Sequence, residues 1–360
     1  MAIALRWSVT AAVSAFLLIG LATTARPEVS DLTLPHLDAR GRFFTPWMDD
    51  PKTAWSVLKW WFTPSAYDKS GPVRTPWVAN DGSYLMGVEN SATVTWVGHA
   101  TFAVHDGDDV FLTDPHFGKR ALIPVRKVPP GIPIDSIPDD AFAVLSHNHY
   151  DHLDEWSVEN LPESMTWFVP LGMTEWFEDH GRRAVELDWW QSATHGRWTI
   201  TCLPSQHWTR RFGQGANEAL WCAWLLDSGD YKYFFAGDTG YFHGFEEYGR
   251  GFGPIDVAML PIGAYAPRWF MGWQHLDPAE AYQAFLDLGA RFMLPMHWGT
   301  FDLTDEPVDL APIELERVLD ERVADRDTIK ILAVGERWKI PDSNAGGATG
   351  VKGTARLRRR

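Results

Sequence analysis

The sequence predicts an α/β protein whose sheets are covered by helices, folded as a single domain over residues 40–341. Three observations predict it. Apolar runs of strand length recur between residues 93 and 334. A well-capped amphipathic helix stands between two of the later runs. No repeat or long linker interrupts the chain between Arg42 and Pro341.

Residues 93–97 and 102–104 are strand-like, and Asp106-Gly107 signals a turn into residues 110–113, so this region reads as antiparallel strands. Residues 141–146 (AFAVLS) form a short apolar run, read as a buried strand, that stops at a cluster of histidines. Further strands are predicted at 166–169, 198–203, 219–226, 231–236, 256–260, 292–296 and 329–334. Asp277-Pro278-Ala279-Glu280 begins a helix: Asp277 caps it, Pro278 takes the first turn and Glu280 completes a capping box. Ala281, Phe285 and Leu288 then share one face, and Gly289 ends it. A second helix is predicted over 311–324.

The two ends read differently. Residues 1–25 combine Arg6, an apolar run from Ala11 to Ala22 and a small-residue site at Ala25, the pattern of a signal peptide or N-terminal anchor. That pattern predicts an exported protein, periplasmic or otherwise extracytoplasmic. Residues 342–360 lack apolar periodicity, end Arg-Leu-Arg-Arg-Arg and read as a disordered basic tail. The chain carries −15; the tail contributes +4 and Arg6 +1, so the remainder carries −20. Such a body repels polyanions, which argues against nucleic acid as a partner. Cys202 and Cys222 lie in strand-like runs and read as buried thiols, or as a disulfide if those strands are neighbours in an exported protein. Two cysteines cannot build a thiolate cluster, so any metal is held by His and carboxylate. Trp55, Trp60 and Trp61 cluster with one lysine in AWSVLKWWF, a composition that suits a membrane interface or a helix docked on its own domain.

The strongest chemical signal is Ser146-His147-Asn148-His149-Tyr150-Asp151-His152, directly after an apolar strand. His147 and His149 are two apart, so an extended backbone puts both imidazoles on one side. Asp151 and His152 are adjacent and cannot both face that same ion without a sharp turn; a turning backbone could give each pair its own ion. His207 follows ITCLPSQ, Asp238 sits in FFAGDTG, and His297 ends RFMLPMH. Each alone is an ordinary residue at the end of an apolar run.

Together, in this order, these residues resemble the five-motif signature of the metallo-β-lactamase superfamily. The resemblance implies one metal on His147, His149 and His207, a second on Asp151, His152 and His297, and Asp238 as a bridge. An all-N/O set suits zinc, and iron or manganese is compatible with it. A closer resemblance spans residues 40–340. Gly41-Arg42-Phe43-Phe44, Trp96-Val97-Gly98-His99-Ala100-Thr101, Thr113-Asp114-Pro115 and the stretch from Leu260 to Glu280 look like the N-acyl-phosphatidylethanolamine-hydrolysing phospholipase D family. That family implies an αββα sandwich, two zinc ions, and release of N-acylethanolamine from an N-acylated phospholipid, leaving phosphatidic acid. The export signal and the basic tail depart from its pattern.

The chemistry fits a phosphodiester, because two cations roughly 3.5–4 Å apart lower the pKa of water and stabilise charge developing on phosphorus. Asp151 and Asp238 are then catalytic as well as ligating. His275 either bonds phosphate or protonates the leaving oxygen, or simply precedes the helix cap. His99 and Asp114 read as orienters of ligand side chains. Candidate substrate-binding residues are Trp60 and Trp61, Arg126 and Lys127 in the loop 121–132, and Tyr265 and Arg268 in the stretch carrying the closer resemblance. The partner expected is a phospholipid at a membrane surface. Two other readings use the same residues: hydrolysis of a soluble phosphodiester or lactone, and a non-catalytic exported lipid- or metal-binding protein.

Overall fold

The computed structural model describes residues 30–48, 53–89 and 91–342; the signal-like segment 1–25 and the basic tail from residue 343 lie outside the described residues. Helix α1 (Ala54–Phe62) precedes the sheets and is closed at its start by a Thr53–Ser56 capping box. β1 (Thr93–Gly98), β2 (Thr101–Asp106) and β3 (Asp109–Thr113) form an antiparallel meander. β4 (Phe142–Val144), α2 (Glu155–Asn160), β5 (Thr166–Pro170), α3 (Thr174–Asp179) and β6 (Arg183–Leu187) follow, with β4, β5 and β6 adding parallel to β3.

The second sheet begins with β7 (Ser192–His195), β8 (Trp198–Leu203), β9 (Ala223–Asp227) and β10 (Lys232–Phe235), all antiparallel. After α4 (Gly244–Phe252), β11 (Val257–Pro261) pairs parallel to β10. The short α5 (Arg268–Met271) and α6 (Pro278–Leu288) then lead to β12 (Phe292–Met296), parallel to β11. The chain passes through α7 (Ala311–Glu321) and returns to the first sheet as β13 (Arg337–Lys339), antiparallel to β1. The orders are β13-β1-β2-β3-β4-β5-β6 and β12-β11-β10-β9-β8-β7.

Strand alternation assigns the two faces. In β3 and β5, Phe111 and Phe168 point toward the second sheet, while Leu112, Trp167 and Val169 point the other way, into a core closed by Val158 of α2 and Phe177 of α3. Between the sheets the Phe111 ring meets Trp198 at 5.2 Å and Tyr233 at 5.4 Å. On the far side of the second sheet, Phe234 packs on Phe245 and Tyr248 of α4. Residues of α6 and α7 join the same core. The central strands are covered on both faces, giving an αββα sandwich. Each large side chain so buried contributes about 1.5–3 kcal/mol.

The structure corrects the element reading in four places. Residues 329–334 are not a strand. Ile329 makes a single bridge to Met293 and Val334 one to Trp77, because this run crosses from one sheet's edge to the other's. The run 219–226 is strand only from Ala223; before it, Leu220 N donates to Leu171 O and Cys222 N to Ser146 O, tying the segment to first-sheet loops. The β6 and β7 strands were not expected, since their alternation is polar and half exposed. Helix α7 ends at Glu321, three residues early. Helix α6 matches its expected caps: Asp277 accepts from Ala279 N and Glu280 N, and Gly289 adopts φ 60°. Cys202 and Cys222 are buried, free thiols.

Candidate metal centre

Every residue of the H-x-H-x-D-H, His207, Asp238 and His297 set lies in a loop that follows a strand, and the two sheets bring those loops to one edge of the sandwich. β4 ends at Val144 and the chain turns irregularly through residue 152; His207, Asp238 and His297 follow β8, β10 and β12. The approach of Asp238 requires a glycine before it. Gly237 adopts φ 58°, and a Cβ there would fall 2.4 Å from Ser146 Cβ.

Two sets of donor atoms result. His147 Nε2 lies 2.9 Å from His149 Nδ1, which lies 3.2 Å from His207 Nε2. In the second set His297 Nε2 lies 3.2 Å from His152 Nε2 and 3.3 Å from Asp151 Oδ2, and those two lie 3.5 Å apart. Asp238 stands between: its Oδ2 is 3.9 Å from His147 Nε2, 3.8 Å from His207 Nε2 and 3.2 Å from His152 Nε2, and its Oδ1 is 3.0 Å from His297 Nε2. Donors on a tetrahedral zinc with Zn–N near 2.0–2.1 Å are roughly 3.3 Å apart. Both sets converge at about that spacing, so the residues fit two metal ions.

Three of the converging imidazoles, those of His147, His152 and His207, are held from behind through Nδ1. His147 Nδ1–H donates to Ser146 Oγ at 2.8 Å, and Ser146 Oγ–H donates to Asp114 Oδ2 at 2.6 Å. His152 Nδ1–H donates to the same Asp114 oxygen at 2.5 Å. His207 Nδ1–H donates to Gln274 O at 3.0 Å, and His99 Nε2–H to Asp151 Oδ2 at 3.0 Å. Such partners fix the tautomer and aim Nε2 inward. His99 and Asp114, read from the sequence as orienters, touch Asp151 and His152, and Ser146 and Gln274 make the equivalent contacts to His147 and His207. Gln274 acts through its backbone carbonyl, which carries no side-chain signature. His99, Asp114 and His297 all adopt positive φ (56°, 35° and 64°), a strain of about 1–3 kcal/mol each, which persists only where the surroundings fix the backbone.

The electrostatics call for cations. Burial alone would raise the Asp151 and Asp238 carboxyls, but the facing imidazoles, His152 above all, hold both well below the usual range. Burial opposes charge on His297, yet Asp238 and Asp151 lift it to about 9. Burial, reinforced by neighbouring imidazoles, pushes His147 well below the ordinary histidine value, so it is neutral and able to ligate. Without a metal, protons on the histidines must neutralise the buried carboxylates; metal ions do so directly.

A cleft of about 460 Å³ opens on this centre. Trp60, Trp61, Leu122, Ile123, Phe270 and Met271 form apolar walls, and Asp151, Asp238, His275 and His297 line its base. His275 Nδ1 lies 3.8 Å from Asp238 Oδ2, and the His275 backbone carbonyl accepts from Arg268 Nη1 at 2.8 Å. Four other predicted substrate-binding residues do not line the cleft, a correction with a physical reason in each case. Arg126 is turned inward: its Nε donates to Gly118 O at 3.0 Å, its Nη2 donates to His116 O, and its guanidinium lies over Phe301. Lys127 borders a separate cavity beside Lys69 and Arg74. Tyr265 is buried and its hydroxyl donates to Glu314. Arg268 bonds Glu280 as well as His275, and so braces the loop ahead of α6.

The comparisons with known proteins agree with this geometry. The Beta-lactamase superfamily domain matches residues 110–298, which contain all seven converging residues. The chain belongs to the metallo-β-lactamase superfamily and is a metal-dependent hydrolase. Within it, the chain is 37% identical over 275 residues to N-acyl-phosphatidylethanolamine-hydrolyzing phospholipase D 1 of Caenorhabditis elegans, covering 71% of this chain and 77% of that one. It is 35% identical over 230 residues to the mitochondrial enzyme of the same name from Saccharomyces cerevisiae, covering 59% and 48%. Among solved structures, a metallo hydrolase from Ignicoccus hospitalis superposes with a TM-score of 0.55 at 19% identity, over 70% of this chain and 99% of the other. That likeness concerns the fold.

Proposed function

We propose that the protein is a dinuclear zinc phosphodiesterase that hydrolyses N-acyl-phosphatidylethanolamine to N-acylethanolamine and phosphatidic acid at a membrane surface. One observation carries the reading: an apolar cleft of about 460 Å³ opens onto a buried N/O donor set suited to two cations. The relatives named for that hydrolysis support it.

His147, His149 and His207 would hold one ion and Asp151, His152 and His297 the other, with Asp238 standing between the two sets. The ions, when bound, supply Lewis acidity toward phosphate and lower the pKa of water. The chain's own residues do the rest. Trp60 and Phe270, stacked at 4.9 Å, shape the wall against which an acyl chain lies. His275, its backbone held by Arg268, presents its ring to the ethanolamine oxygen that leaves phosphorus and gives that oxygen its proton. Water supplies the hydroxyl retained on phosphatidic acid. The exposed Trp61 and Ile123 at the cleft, with the exposed Trp55 and Phe62 of the same helix as Trp61, suit contact with a bilayer, in keeping with an exported, membrane-associated protein.

Mass spectrometry of products from mixed phospholipids, with and without chelator, tests the proposal. Phosphatidic acid and N-acylethanolamine should appear together and vanish with chelator. Turnover of a soluble phosphodiester with no phosphatidic acid from any N-acylated phospholipid would replace the lipid reading by the soluble-substrate one.

A further inference from the structure

The turn bearing His147, His149, Asp151 and His152 is neither helix nor strand. Within it, His149 O accepts from His152 N at 3.1 Å and Leu153 N at 2.8 Å. A second turn is clamped on its outer side. In that turn Arg211 and Gln214 exchange backbone hydrogen bonds. Arg211 is 6% exposed; its Nη1 donates to Leu153 O at 2.8 Å and to Asn148 O at 3.4 Å. Its guanidinium lies over the Tyr150 ring at 4.4 Å and the Trp176 ring of α3 at 5.2 Å. The neighbours of Arg211 extend the clamp: Asn148 Nδ2 donates to Gln214 Oε1 at 2.7 Å, and Phe212 N donates to the Tyr150 hydroxyl at 3.0 Å. Asn148, Tyr150 and Leu153 alternate with, or border, the ligand positions.

A buried guanidinium costs several kcal/mol unless its donors are used. If the hollow needed only filling, an apolar side chain would fill it at lower cost. Arginine suits it because a rigid planar guanidinium can direct one Nη to two carbonyls while its face lies over two rings. We propose that Arg211 is a positioning residue of the metal centre. By pinning the carbonyls of Asn148 and Leu153 it sets the spacing between the His147–His149 pair and the Asp151–His152 pair, and thereby how tightly both ions are held together. This rests on the metal-centre reading but on no particular substrate.

The test uses the metal-loaded chain and the variants Arg211→Met, which keeps the length and packing, and Arg211→Lys, which keeps the charge but not the fork. Circular dichroism reports folding, release of metal to excess chelator reports retention, and kcat and KM are read on bis(p-nitrophenyl) phosphate. The expected result is release accelerated about tenfold or more in the Met variant and by an intermediate factor in the Lys variant, as for other groups that orient ligands. With it, kcat should fall about tenfold at a KM within about twofold of the parent's. A purely packing role would move thermal stability and leave metal release unchanged. Either folded variant retaining both ions within twofold of the parent's rate would overturn the inference. A parent that takes up no metal would overturn the metal-centre reading itself, and this inference with it.

Discussion

Asp238 stands between the two donor sets, its carboxylate within 4 Å of His147 and His207 in one and of His152 and His297 in the other. Asp238→Asn is nearly isosteric but neutral, so a bridge between two ions would weaken while packing barely changes. Circular dichroism should match the parent while turnover falls by roughly 100-fold or more, the size of several kcal/mol of lost charge stabilisation. Activity within tenfold of the parent would remove Asp238 from the bridging role. The imidazoles also set a pH dependence whose sign differs between the two forms. In chelator-stripped protein His297 titrates near 9 and His152 well above its ordinary value; in both, burial opposes the charge and the carboxylates outweigh it. A raised pKa gives stability that is complete below the unfolded value of about 6.5 and lost as pH rises through the folded one. Metal-free protein should therefore melt at lower temperature as pH rises from about 6.5 to 9. Metal-loaded protein should gain over the same interval, because protons then cease to compete for His152 and His297. Parallel melting curves with and without chelator would contradict this.

At the scale of elements, α1 divides its two adjacent tryptophans between different tasks. Trp60 donates its Nε1–H to Asp305 at 3.0 Å and stacks on Phe270, so it holds the helix to the body. Trp61 is 75% exposed at the cleft mouth. Trp61→Ala should leave melting temperature and soluble-diester turnover unchanged while weakening binding to phospholipid vesicles about tenfold or more, the worth of one buried aromatic at about 1.5–3 kcal/mol. Trp60→Ala should lower melting temperature and turnover of both substrates. Equal losses on vesicles and soluble diester for Trp61→Ala would make Trp61 part of the fold rather than of an interface. The sequence placed both residues in one apolar cluster and had no means of separating them. The difference lies in Asp305 and Phe270, more than two hundred residues away.

At the scale of the molecule, the two sheets share one aromatic-rich interior, and Cys202 and Cys222 lie inside it as free thiols. Burial raises the Cys222 thiol well above its ordinary value, which keeps it unreactive. A thiol reagent should modify neither cysteine in the native protein and both after denaturation. A reductant should not shift the melting temperature. Two thiols titrating in the native state would mean that this interior opens readily.

The candidate ligands are legible in the sequence, because spacing two apart in H-x-H, a carboxylate next to a histidine, and a Gly-Asp-Thr-Gly turn are local facts. The sequence by itself also determined most of the strands and both caps of α6, since those follow from period and capping, which act within a few residues. Only the tertiary structure decided what those residues meet. Arg126 and Tyr265 are candidate substrate-binding residues in the sequence, yet they are drawn inside by His116, Phe301 and Glu314. Residues 329–334 have strand composition but spend it on a crossing between sheets. Ser146, Gln274 and Arg211 act through a hydroxyl, a carbonyl and a guanidinium whose partners come from other loops. The physical reason is the same in each case: hydrogen bonding and burial are satisfied by whatever the fold brings near, and nearness across two sheets is not written in local sequence.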